Sequence, residues 1–195
     1  MSKRIFVSAD WSESFDSHSC DREVVDRIRK WKSDARYGVD ITCTDDVHDS
    51  VTEEKDCRRC DIKFECGKCV EKSSVVIFVV GDRTSTKNAG PCDGKYCSPA
   101  YSGLQKEYCN KGFLFNQPQN WQRMSYLEYE ITTAILNRKS ILIVYNAAFH
   151  MESWIPAWYK ALCRDYKVYE LGRVPFWSNC DHTKDCYQEI RRYLE

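Results

Sequence analysis

Three short apolar runs punctuate the chain, at residues 4–8 (RIFVS), 74–80 (SVVIFVV) and 140–145 (SILIVY). They are rich in β-branched residues and do not alternate with polar ones, the pattern of strands covered on both faces of a parallel sheet. A weaker run at 39–42 (VDIT) follows the turn-like pair Tyr37-Gly38, and a fifth at 167–171 (KVYEL) precedes Gly172. Helical patterns lie between them. Val24, Val25, Ile28 and Trp31 recur at the three- and four-residue spacing of one buried helix face. Ile62, Cys66, Cys69 and Val70 do so less cleanly, whereas Leu127, Ile131, Ala134 and Ile135 give the clearest case, directly before the 140–145 run. Residues 183–194 predict a last helix with Tyr187, Ile190 and Leu194 inward.

Strands alternating with helices predict βαβ units and a parallel sheet with helices on both faces. Five strands suit the flavodoxin-like order 2-1-3-4-5, an α/β architecture in which ligands bind beyond the carboxyl ends of the strands near the switch point. The loops after the first and third strands, from Ala9 to Asp16 and from Gly81 onward, are therefore expected to hold a site. A chain of 195 residues suits one domain over 1–195. One stretch breaks the pattern: residues 86–120 carry Gly, Pro, Asn and Ser, three cysteines and no clear period. A loop of that length predicts an insertion, here over the edge that holds the site.

Charge narrows the partner classes. Lys+Arg and Asp+Glu are equal at 29 each. No basic stripe offers phosphate neutralisation, so nucleic acid is not the expected partner, and no dense cationic run suits an anionic membrane. The start, MSKRIFVSAD, has too short an apolar run for a secretory signal, and nowhere do about 18 apolar residues follow one another, so a cytoplasmic protein is expected. In that reducing compartment twelve cysteines are thiols, serving as core filler or metal ligands. Cys57-x-x-Cys60 and Cys66-x-x-Cys69 look like zinc knuckles, yet only five residues separate the pairs where zinc ribbons use roughly 15–20. On one helix the four thiols would face different sides. No metal site is assigned. A structural zinc is left only to one pair joined with Cys92 and Cys97, or with Cys180 and Cys186.

Ser125-x-x-Glu128 reads as a capping box that opens the helix before the 140–145 strand. Glu130 has no such task and no cation four residues on, where Ala134 stands. It sits near the positive end of the helix dipole at the ligand-binding edge. Periodicity alone makes it a solvated surface glutamate.

The segment Ser125-Tyr126-Leu127-Glu128-Tyr129-Glu130-Ile131, with its helix and the following strand, resembles the active-site helix of TIR-like domains, whose pattern is Ser-Trp-Val-x-x-Glu-Ile and then a helix ending in Gly-Lys. Arg138-Lys139 stand at that last position, and Tyr126 stands where the family has Trp. Arg4 to Ser8 resembles the family's first strand, Val79 to Thr84 the end of its third, and Asp46 to Ser50 its acidic, histidine-bearing loop. In these features the chain resembles the single-domain TIR-like proteins of bacterial Thoeris antiphage systems.

That resemblance implies an NAD-cleaving enzyme with Glu130 as the catalytic carboxylate. It would act as a glycohydrolase or cyclase making an ADP-ribose-derived messenger for a separate effector protein, and would self-associate. NAD is the substrate, and no cofactor is implied. Ser8, Asp10 and Trp11 would meet the ribose or nicotinamide, Gly81 and Thr84 would let a ligand approach, Arg83 would meet a phosphate, Asp46 with Asp45 and His48 would line the second loop, and Tyr126 would offer a stacking face beside Trp121. Two other classes remain open: a TIR-like scaffold that acts by assembly without catalysis, and a deoxyribosyltransferase-like enzyme, which shares the layout and a glutamate but works covalently.

Overall fold

The computed structural model describes residues 3–9, 20–43, 46–47, 58–80, 90, 121–145 and 168–171. The apolar runs become strands: β1 is Lys3–Ala9, β2 Val39–Cys43, β3 Val75–Val80, β4 Ser140–Tyr145 and β5 Val168–Leu171. They form one sheet in the order β2-β1-β3-β4-β5, all pairs parallel. This is the flavodoxin-like order that the alternating pattern predicts, and it places β1 and β3 side by side at the switch point. Between the strands lie α1 (Cys20–Ser33), α2 (Arg58–Lys72) and α3 (Tyr126–Leu136), with a short 3-10 turn at Trp121–Arg123 before α3. The expected C-terminal helix at 183–194 and nearly all of the 86–120 insertion lie outside the described residues. Among the described residues no helix is long and apolar enough to cross a membrane.

Side-chain alternation along the strands sorts the core into two layers. Ile5, Val7 and Ala9 of β1 and Val75, Ile77 and Val79 of β3 pack with Val24, Val25, Ile28 and Trp31 of α1. The other parity, Phe6 of β1 with Val76, Phe78 and Val80 of β3, packs with Ile62, Cys66 and Val70 of α2 and Leu127, Ile131 and Ala134 of α3. Helices therefore cover both faces. β3 is buried at all six positions, as a central parallel strand must be.

Turn chemistry fixes the ends. Gly38 takes φ +59° between α1 and β2, the left-handed conformation that favours glycine. At the end of α3 the Lys139 N–H donates to Ala134 O and the Arg138 N–H to Ile135 O, both at 2.9 Å. These are the two bonds of a Schellman motif, with Arg138 at φ 51° in the position glycine normally fills. The family pattern that the sequence resembles has Gly there. Arg138 is exposed, so its side chain contributes no packing to lose. Arg138→Gly should therefore stabilise the fold by about 0.5–1 kcal/mol, the left-handed penalty minus glycine's added chain entropy. Thermal melts should show the midpoint rising by about 1–3 °C.

Candidate active site

Ser8 is the last residue but one of β1, two positions after Phe6, so it faces the α2/α3 layer, where its neighbours are apolar. A hydroxyl there needs a partner. It finds one across the layer: Ser8 Oγ donates a hydrogen bond to Glu130 Oε2, linking residues 122 positions apart in sequence. Both side chains are 1% exposed. Glu130 is thus not the solvated surface glutamate that periodicity gives. The helix start explains why it can reach. Ser125 caps α3, its Oγ accepting from the Glu128 N–H at 3.1 Å, and Glu130 follows one turn later on the side turned toward β1.

The capping box is only half formed. The Ser125 hydroxyl does its part, but the Glu128 carboxylate makes no hydrogen bond among the described residues and stays half-exposed. A serine N-cap is sufficient by itself to satisfy an orphan N–H.

Cys66 completes the surroundings of the carboxylate. It is fully buried on α2 in the same apolar layer, close enough to Glu130 to feel the charge of the carboxylate. Burial pushes this thiol well above its ordinary value of 9.0, and the negative charge of Glu130 pushes the same way. The folded value exceeds the unfolded one, so the contribution of the thiol is fully present below about pH 9 and is lost as pH rises beyond it. Cys66→Ala should accordingly be less stable than wild type at pH 7, and the gap should narrow by pH 10. Urea midpoints at the two pH values measure this. A gap that stays constant would show that Cys66 contributes packing alone.

Lys63, one turn earlier on α2, is fully buried as well. Its ammonium donates to Trp121 O at 3.1 Å and Gln122 O at 3.0 Å, the carbonyls of the turn before α3. Tyr126 opens α3 half-buried, its ring centroid 6.0 Å from the same ammonium. Gly90, at φ +107°, lies against it: a Cβ there would come within 2.9 Å of the Tyr126 backbone nitrogen. So one point of the 86–120 stretch touches the start of the Glu130 helix. Trp121 pairs with Tyr129 at 5.9 Å between centroids and packs with Cys60, so it faces a small apolar cluster of its own.

Of the other sequence-derived positions, Asp46 has a structural task. Its Oδ2 accepts from the Cys43 N–H at 2.9 Å, closing the end of β2, and its Oδ1 accepts from Arg29 of α1 at 2.8 Å. Asp10, Trp11, Asp45, His48, Gly81, Arg83 and Thr84 lie outside the described residues, as does Cys57. Among the described residues no group of three or more His, Cys, Asp or Glu side chains is placed to hold a metal ion. Cys60 and Cys66 belong to different clusters.

Sequence reasoning picks out Ser8 and Glu130 and misses Lys63 and Cys66. The signal for the latter two is the i, i+3 column Cys60, Lys63, Cys66 on a helix otherwise facing the core, where a lysine is out of place.

No family model matches the sequence, and no curated protein matches it. Among solved structures, one described as a prokaryotic SEFIR domain is similar to this chain, with a TM-score of 0.49 and 15% sequence identity over 99% of each chain. So distant a likeness says nothing about substrate or reaction.

Proposed function

We propose that the chain is a TIR-like enzyme that cleaves the bond between nicotinamide and ribose in NAD, with Glu130 as the catalytic carboxylate. The observation that carries this reading is the position of Glu130. A carboxylate is buried in the layer beside the end of β1, held by a serine hydroxyl with a buried thiol nearby, at the edge where parallel sheets of this order bind ligands. Burying a carboxylate is costly, and a structural role alone is better served by an apolar residue. Retaining one at this place is what a reaction that develops positive charge requires.

Nicotinamide departs as a neutral molecule, so its departure needs no general acid. The ribose left behind acquires oxocarbenium character, and a fixed carboxylate stabilises that charge or grips the ribose hydroxyls that orient the ring. A ribose hydroxyl donating to Glu130 would share the carboxylate with Ser8. Attack by water on the cation gives ADP-ribose. Attack by a nitrogen or hydroxyl of the same nucleotide gives a cyclised product. The nucleotide would serve as a messenger to a separate effector in antiphage defence, and self-association would bring the enzyme to its active state.

The test is incubation of the purified protein with NAD at several protein concentrations, following nicotinamide release and identifying the second product by mass spectrometry. Nicotinamide with ADP-ribose or its cyclic isomer is the expected result. Binding and turnover both absent at every concentration would favour a scaffold that acts by assembly.

A further inference from the structure

We propose that Lys63 is a positioning residue for Glu130: its buried ammonium latches the turn at Trp121–Arg123 and so sets the register at which α3 begins. The catalytic consequence rests on the reading of Glu130 given above; the latch itself does not.

Lys63 and Glu130 are the two fully buried side chains of the Lys, Arg, Asp and Glu types among the described residues, and they lie on the facing helices α2 and α3. A buried cation is costly unless its hydrogens are taken up, and lysine is almost never fully buried without such partners. Here two acceptors come from consecutive carbonyls of one short turn. That turn is too short to ladder its own carbonyls, and buried carbonyls need partners. Trp121 O also closes the turn by accepting from the Met124 N–H at 3.2 Å. Lysine and turn therefore complete each other's hydrogen bonding, and the chain leaves the turn straight into the Ser125 cap.

The geometry of a helix makes that junction matter. Starting α3 one residue earlier or later would rotate every side chain on it by about 100°. Glu130 would then leave Ser8 and turn toward another surface. Ser125 by itself does not fix the rotation, because a capped helix can still pivot on a loose turn. The ring of Trp121 against Tyr129 and the ammonium of Lys63 on the turn's carbonyls hold it from two sides.

The full chain tests this with Lys63→Met, which keeps the length and removes the donors, and Lys63→Arg, which restores a cation with donors. Hydrogen exchange read by mass spectrometry gives the first measurement. In Lys63→Met the amides of 126–131 should exchange about tenfold faster, with α1 and β3 within about twofold of wild type. Turnover of NAD gives the second: kcat should fall about 10–100-fold with KM within about twofold, because misplacement of a catalytic group costs rate more than binding. Lys63→Arg should recover part of both. Exchange that is unchanged, or faster everywhere alike, would overturn the latch, and wild-type kcat in Lys63→Met beside a large loss in Glu130→Gln would overturn its positioning role. Should Lys63→Met fail to fold, Lys63→Gln keeps one donor without charge and takes its place under the same criteria. A wild type that releases no nicotinamide would remove the enzymatic reading, while the exchange pattern would still decide the latch.

Discussion

Replacing Glu130 with Gln is expected to reduce nicotinamide release from NAD by about 100–1000-fold while leaving the fold intact, the scale seen when one stabilising group is removed from a charge-developing transition state. The substitution keeps the size and shape of the side chain. Ser8 can still donate to the remaining carbonyl oxygen, so the contact between β1 and α3 survives. What disappears is the negative charge that stabilises the forming oxocarbenium. Stability should move the other way, because a neutral amide is less costly to bury than a carboxylate. Thermal unfolding at neutral pH is therefore expected to show an equal or higher midpoint, the signature of a residue kept for chemistry. Glu128→Gln, two residues away on the half-exposed side of the same helix, provides the control and should leave both quantities unchanged. Equal activity in Glu130→Gln and wild type would remove the catalytic assignment, and a large loss of stability would mark Glu130 as a structural residue.

The two glutamates also show where sequence reasoning reaches and where it stops. The strands are legible because a strand covered on both faces leaves a contiguous apolar trace, and each run lands within about a residue of its strand, the ordinary uncertainty of element ends. The buried face of α1 is legible because no polar residue interrupts Val24, Val25, Ile28 and Trp31. The face of α2 is harder to read because Lys63 and three cysteines occupy positions that usually hold leucine or isoleucine. The burial of Glu130 has no local signature. It depends on Ser8, more than a hundred residues away, and on Cys66 from another helix, and spacing along the chain carries no information about such contacts. Resemblance to a family motif supplies the position of Glu130, and only the packed layers supply its partners.

The layering also separates stability from activity, which leads to a paired expectation. Phe78 and Trp31 are both buried large aromatics on opposite faces of the sheet, 0% and 1% exposed. Truncating either to Ala should cost about 3–5 kcal/mol, through lost burial and the cavity left behind. Against the 5–15 kcal/mol typical of a domain, about a fifth or more of the stability is at stake in each case. Urea denaturation should show comparable drops for the two variants. Activity should not follow suit. Phe78 is the register partner of Ser8 in the neighbouring parallel strand, so their side chains stand side by side on the face that carries Glu130. A cavity at 78 frees the serine hydroxyl to shift and opens space beside the carboxylate. Displacements of that size at a reacting centre lower rates by about tenfold or more. Trp31 belongs to α1 on the opposite face, with the sheet between it and the site. Assayed at 15 °C without denaturant, where both variants should remain folded, Phe78→Ala is expected to lose about tenfold or more in nicotinamide release and Trp31→Ala to stay within about twofold of wild type. Equal losses in the two would mean that activity simply tracks global stability, and that the Ser8–Glu130 layer has no privileged part in the chemistry.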